Sequence, residues 1–129
     1  MAYDHELGTM TVFMEASGDP DSRAGVIWTI KNRLENGHFG NTIAEVILHP
    51  FQFSSWNSND QNRARLGRTD DHDKILLVCR AVVDSVLNGD MPDPTTGATF
   101  YFADGIPVPT WALKMEKTVT LGKQHFYRE

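Results

Sequence analysis

The chain has 129 residues, a single cysteine, and twelve basic against seventeen acidic residues for a net charge of −5. That length suits one domain, residues 1–129, with enough chain to bury a real core. The acidic balance argues against a nucleic-acid partner, which calls for a basic face, and one thiol excludes an intrachain disulfide, a zinc knuckle and a redox pair.

The first segment, Met1 to Leu7, carries Asp4 and Glu6 and no apolar run, unlike a signal peptide. No stretch approaches the roughly 20 apolar residues of a membrane span. The expectation is a soluble monomer made without an export leader. Residues 4–16 predict a first helix with Asp4 as N-cap and Leu7, Met10, Phe13 and Met14 at helical spacing. Ser17-Gly18 breaks it. Asp19-Pro20 restarts a helix, Asp as cap and Pro in the first turn, running to about Asn36 on a stripe of Val26, Ile27, Ile30 and Leu34, with Gly37 ending it. A short third helix is expected over Thr42–Leu48, stopped by Pro50. Residues 51–70, mixing aromatics with amides and arginines, read as a long loop of the kind that often carries function. A fourth helix is expected over Asp71–Asn88, with Ile75, Val78, Cys79, Val82 and Val86 inward and Gly89 as its C-cap. Cys79 lies in that apolar run and reads as a small buried hydrophobe. After a turn-rich stretch, Ala98–Ala103 suggests a strand and Thr118–Tyr127 a hairpin turning at Gly122-Lys123. The fold class is α+β, mainly helical, with a small antiparallel sheet in the C-terminal part.

Glu15 is the first chemical candidate. It ends a helix directly after Phe13 and Met14. The negative end of the helix dipole and apolar neighbours both disfavour a carboxylate, and a protonated carboxyl is the form a general acid needs. The plainer reading is an exposed helix-end glutamate. The second candidate is Gln52-Phe53-Ser54-Ser55-Trp56-Asn57. Aromatic faces cover the C–H surface of sugars while amides and hydroxyls bond ring substituents, so Gln52, Phe53, Ser54, Trp56 and Asn57 fit a glycan site; Phe53 and Trp56 fit equally well as core anchors. Tyr101, Trp111, His125 and Tyr127 form a later set. Alternation puts Phe100 and Phe102 on one strand face and Tyr101 on the other. The five histidines show no paired spacing, so neither a metal nor a cofactor is expected. Asp70-Asp71-His72-Asp73 supplies capping charge to the fourth helix. Arg63, Arg65 and Arg68 read as a solvated loop.

With these residues in place, the chain resembles the cell-wall hydrolase family typified by the spore-cortex-lytic enzyme SleB. Matching segments run in the family's order from residue 9 to 127: Thr11-Val12-Phe13-Met14-Glu15-Ala16-Ser17-Gly18-Asp19-Pro20, Ile30-Lys31-Asn32-Arg33, Phe39-Gly40-Asn41-Thr42-Ile43, Gln52 to Asn57, Pro92 to Tyr101, and Gly122-Lys123-Gln124-His125-Phe126-Tyr127. The resemblance implies a lysozyme-like fold related to lytic transglycosylases, a peptidoglycan glycan strand as partner, and one essential glutamate, carried by Glu15. One departure stands out: the family's arginine two residues after the glutamate is Ser17 here. A short, leaderless member looks like a phage endolysin or virion-associated lysin, made in the host cytoplasm and delivered by membrane holes or in a particle.

The expected reaction is cleavage of the β-1,4 bond between N-acetylmuramic acid and N-acetylglucosamine. With one carboxylate it proceeds as a lytic transglycosylase. With a second, for which Asp19, Asp60 and Asp93 are candidates, it proceeds as a hydrolytic muramidase. A non-catalytic wall-binding phage structural protein is the alternative from another class, and a peptidoglycan amidase or peptidase lacks its usual zinc or Cys/His signature.

Overall fold

The computed structural model describes residues 2–16, 18–48 and 72–129. In chain order these form α1 (Ala2–Ala16), a 3₁₀ turn (Pro20–Ser22), α2 (Arg23–Asn36), α3 (Ile43–Leu48), α4 (His72–Leu87), β1 (Phe100–Ala103), a 3₁₀ helix (Thr110–Lys114), β2 (Glu116–Leu121) and β3 (Gln124–Arg128). The described chain is mainly helical, with one antiparallel sheet in the order β1-β3-β2 near its C-terminal end. Among the described residues no helix is long and apolar enough to cross a membrane.

Helix α1 is the centre of the helical layer and meets α2, α3 and α4. Its predicted stripe is only part of what it buries. Leu7, Thr9, Thr11, Val12, Phe13, Met14 and Ala16 are all buried, so the helix is covered nearly all round in its second half. The two threonines are tolerated there because each hydroxyl donates to a carbonyl one turn back, Thr9 to His5 (2.6 Å) and Thr11 to Leu7 (2.9 Å). Gly8 lets the neighbours close in, since a methyl there would meet Ile27 Cδ1 at 3.1 Å and Val83 Cγ1 at 3.2 Å. Near its start α1 is tied to α4 by His5 Nδ1 against Asp84 Oδ1 (2.6 Å), which Arg80 Nε also contacts (2.9 Å). The His5 hydrogen bond, ahead of Arg80, holds the Asp84 carboxyl below its ordinary range.

Several boundaries move from the sequence expectation. Asp4 lies in the first turn of α1 rather than capping it. Asp19 makes no side-chain cap; its carboxylate reaches across the fold instead, and Pro20 opens a 3₁₀ turn before α2. In α4 Val78 faces solvent at 48% exposure, and Val83 takes the inward place beside Cys79 and Val86. The error is one of helical phase: Ile75, Cys79, Val82/Val83 and Val86 follow the 3.6-residue repeat, whereas Val78 sits off that line. β1 starts at Phe100, two residues late: the Ala98 N–H turns back to Thr95 Oγ1 (3.1 Å), and the Thr99 N–H makes the first bond toward β3, to Tyr127 O (2.9 Å). Gly37 ends α2 in the left-handed conformation (φ 80°), donating to Arg33 O as expected of a glycine cap. Thr42 caps α3, its hydroxyl accepting from the Glu45 N–H at 3.1 Å.

The sheet docks on the helices through Phe126, which is fully buried. The tip of its ring points at Gly25, where any side chain would run into it. Register places Tyr101 opposite Phe126 on that inner face, and Phe100 opposite Tyr127 and Phe102 opposite His125 on the outer face.

Candidate active site

Glu15 sits on the last turn of α1, half-buried between solvent and core. The turn ends in a buried guanidinium: Arg23 Nε donates to Ala16 O (3.2 Å), and the Asp19 N–H donates to the same carbonyl (3.1 Å). A cation at a helix C-terminus satisfies carbonyls that lack intrahelical donors and opposes the dipole's negative end. Ser17, which follows on the chain, lies outside the described residues.

Across from Glu15 stands Tyr101 on β1. Its hydroxyl donates to Glu15 Oε1 at 2.6 Å, bridging residues 86 positions apart. The ring packs on Phe126 with centroids 5.5 Å apart and lies against the helical core. Burial, and after it the charge and hydrogen bond of Glu15, push the phenol well above its ordinary range, with Arg33 opposing. Tyr101 is therefore a hydrogen-bond donor to the carboxylate and not an acid that ionises near neutral pH.

Two residues of α2 hold the start of β1 in place. Arg33, buried, donates from Nε to Thr99 O (2.5 Å), and its guanidinium lies 4.9 Å from the Phe100 ring centre and 4.6 Å from that of Phe39. Burial brings its pKa down to about 10, against the pull of Tyr101 and Glu129, so it stays charged at neutral pH. Asn32 Nδ2 donates to Ala98 O and to Asp93 Oδ2, both at 3.0 Å. Asp93 in turn accepts from the Thr95 N–H (2.8 Å), the Thr95 hydroxyl (2.7 Å) and the Gly97 N–H (2.9 Å). Burial alone would raise the Asp93 carboxyl, but these hydrogen bonds outweigh it and hold it below the ordinary range. The turn they organise needs positive φ at Thr96 (52°) and Gly97 (92°).

The remaining expected site residues divide. Gln52, Phe53, Ser54, Trp56 and Asn57 lie outside the described residues, as does Asp60. Trp111, His125 and Tyr127 lie on the outer face of the sheet, away from Tyr101. There the Trp111 ring centre is 5.1 Å from Phe100 and 5.4 Å from Tyr127, while Phe102 stacks on His125 (5.0 Å) and Tyr127 (5.6 Å). His125 is held at both nitrogens, by Asp104 on one side and by Lys117 and Thr120 on the other. Asp19 is committed too: its Oδ2 accepts the Lys123 N–H (2.7 Å), securing the β2–β3 turn to the end of α1. Sequence reading left Arg23 unremarked and assigned no role to Asn32 and Arg33, which lie in one of the matching segments. An arginine on the inner side of an amphipathic helix was the available signal, since a buried guanidinium requires partners.

The sequence profile described as Cell Wall Hydrolase matches residues 19–127 of the chain. The chain belongs to the Cell Wall Hydrolase family. The match begins just after Glu15. The chain is 30% identical over 124 residues to the spore cortex-lytic enzyme of Halalkalibacterium halodurans, covering 95% of the present chain and 34% of that protein. It thus spans about a third of the relative's length. Its fold matches the catalytic domain of the Bacillus cereus SleB protein (TM-score 0.77, 23% identity, 99% of this chain and 91% of that one). It equally matches the catalytic domain of the germination-specific lytic transglycosylase SleB from Bacillus anthracis (TM-score 0.77, 22% identity, 99% and 96%).

Proposed function

We propose that this protein cleaves the β-1,4 bond between N-acetylmuramic acid and N-acetylglucosamine in peptidoglycan, with Glu15 as the proton donor. The observation that carries the reading is the Tyr101–Glu15 pair: a half-buried carboxyl on a rigid helix end, held at 2.6 Å by a side chain from the sheet. Membership of the family supports the wall as substrate, and the Bacillus anthracis fold relative is by name a lytic transglycosylase. In the first step Glu15 gives its proton to the bridging oxygen as the anomeric C–O bond breaks. In the second the resulting carboxylate takes a proton from the muramic acid 6-hydroxyl, whose oxygen closes on the anomeric carbon to give a 1,6-anhydro end.

The transglycosylase route needs one carboxylate, and the surroundings of Asp19 and Asp93, the two candidates among the described residues, favour it over the hydrolytic muramidase. Asp19 is bound to the Lys123 N–H, and Asp93 is bound inside its own turn. Both are structural anchors where a muramidase would need a carboxylate free to activate water.

Glu15→Gln keeps the shape of the side chain and removes its acidity. We expect a folded protein that releases no muropeptides from purified sacculi. Wild-type turnover by that variant would end the assignment. Mass spectrometry of the wild-type products separates the two routes, because anhydro ends are one water lighter; reducing ends alone would leave the muramidase reading.

A further inference from the structure

We propose that the recess between the last turns of α2 and the turn into β1 is a binding site for the primary ammonium group of a peptide side chain. The source of that amine rests on the peptidoglycan reading: the diamino acid of an uncrosslinked stem peptide ends in such a group.

Thr99 marks the recess as a site. The cavity, about 370 Å³, is lined by Asn32, Glu35, Asn36, Thr99, Arg128 and Glu129 beside Gly97. Thr99 is only 6% exposed; its N–H donates to Tyr127 O, and its carbonyl accepts from Arg33. Its hydroxyl oxygen is buried and has no hydrogen-bond partner. Buried hydroxyls are nearly always paired, because leaving one unmet costs its full desolvation. A ligand donor in the recess completes the bond.

The rest of the lining sets the ligand's chemistry. Asn32 Nδ2 spends its two N–H bonds on Asp93 and on Ala98 O, so the group left for a ligand is the acceptor Oδ1. Glu35 and Glu129 add two carboxylates, and the cations around them are engaged. Lys31, one turn before Glu35 and its natural helix-face partner, lies over the Trp28 ring (4.6 Å) and donates to Val86 O (3.3 Å). Arg128 binds Glu116 and Thr96 O. Of the two carboxylates, it is Glu129 whose charge reaches the buried Arg33. Acceptors therefore prevail, and Glu35 is the charge left to match. A primary ammonium brings one positive charge and three donors, as many as Glu35, the Asn32 amide oxygen and the Thr99 hydroxyl can take. The space also admits the methylene stem behind the amine, which a bare cation does not need. Thr99 precedes Tyr101 by two residues, roughly 7 Å of strand, and three extended peptide residues span up to about 10 Å. A stem peptide on a glycan held at Glu15 is long enough to reach.

The test is an NMR titration of the full chain with a stem tripeptide, N-acetyl-Ala-γ-Glu-Lys-amide, and with the same peptide acetylated on the lysine amine. The free amine should give saturable amide shifts at Asn36, Gly97 and Thr99, and the acetylated peptide should bind at least ten-fold more weakly. Glu35→Gln should weaken the free-amine peptide about 3- to 5-fold, as for an exposed ion pair. Thr99→Val keeps the shape and removes the hydroxyl; it should bind about ten-fold more weakly yet melt at or above the wild-type Tm, because the unmet group is gone. A lower Tm in Thr99→Val would overturn the proposal by giving the hydroxyl a structural role. Equal binding of the two peptides, or no shift at these three residues, would overturn it as well. So would calcium chloride alone reproducing the shifts, which would make the recess a metal site. Peptide binding by a protein that leaves sacculi uncut would remove the peptidoglycan reading and keep the recess; cut sacculi without peptide binding would remove the recess alone.

Discussion

The two faces of the three-stranded sheet use similar residues for different ends. On the inner face Tyr101 and Phe126 pair across β1 and β3, one reaching a carboxyl and the other filling the space over Gly25. On the outer face Phe100, Phe102, Trp111 and Tyr127 pack on one another, beside a histidine held at both nitrogens. A one-residue step along β1 moves a ring from one face to the other. Aromatic content alone therefore says little about which rings serve the site; the partner across the strand pair says much more.

The largest break in this contrast should come from the inner face. Phe126→Ala empties a fully buried ring position between sheet and helices. We expect about 3–5 kcal/mol of lost stability, read as a lower denaturant midpoint, together with loss of turnover, because the seat of Tyr101 goes with it. Unchanged turnover in folded Phe126→Ala would show that the sheet does not need this ring to present Tyr101.

Trp111→Ala probes the outer face. Trp111 is half-buried and bridges Phe100 and Tyr127, so its removal should cost roughly 2 kcal/mol of packing. Measured well below the variant's Tm, kcat and KM should each stay within two-fold of wild type. A ten-fold rise in KM with kcat preserved would break the contrast by making the outer layer a glycan-binding surface.

The sequence disclosed this arrangement unevenly. Helix positions and the hairpin were legible because caps and turns are local signals: Gly37, Thr42 and Gly122 each stand where the backbone requires them. Glu15 was legible as a carboxyl at a helix end, and the alternation of β1 correctly separated Tyr101 from Phe100 and Phe102. The near-total burial of α1 was not, since Thr9 and Thr11 read as polar until their hydroxyls are seen bonded to their own helix. Neither were the long-range roles of Asp19, Asn32 and Arg33, whose partners lie 104, 66 and 66 residues away. A side chain's partner across that distance is a property of the fold, and no periodicity encodes it.

The lead into β1 offers the finest test of how the two faces are kept apart. Asp93 gathers donors from Thr95, Gly97 and Asn32 and so ties the turn before the strand to α2. Its carboxyl is held below the ordinary range, which means the folded state favours the ionised form. The stabilisation is therefore fully present above the unfolded value, about 4, and is lost as pH falls through the lower folded value. Asp93→Asn turns an amide N–H₂ toward a ring of donors, so the variant should lose about 1–3 kcal/mol at neutral pH. That deficit should shrink as pH drops below about 4, where wild type begins to lose the same charge. Turnover at neutral pH should fall by less than in Phe126→Ala, because Arg33 still grips Thr99 and Phe100. Denaturant melts of both proteins across the acid range decide the matter. A deficit that stays constant down to the lowest pH would mean that shape, and not the carboxylate's charge, sets the turn that delivers Tyr101 to the inner face.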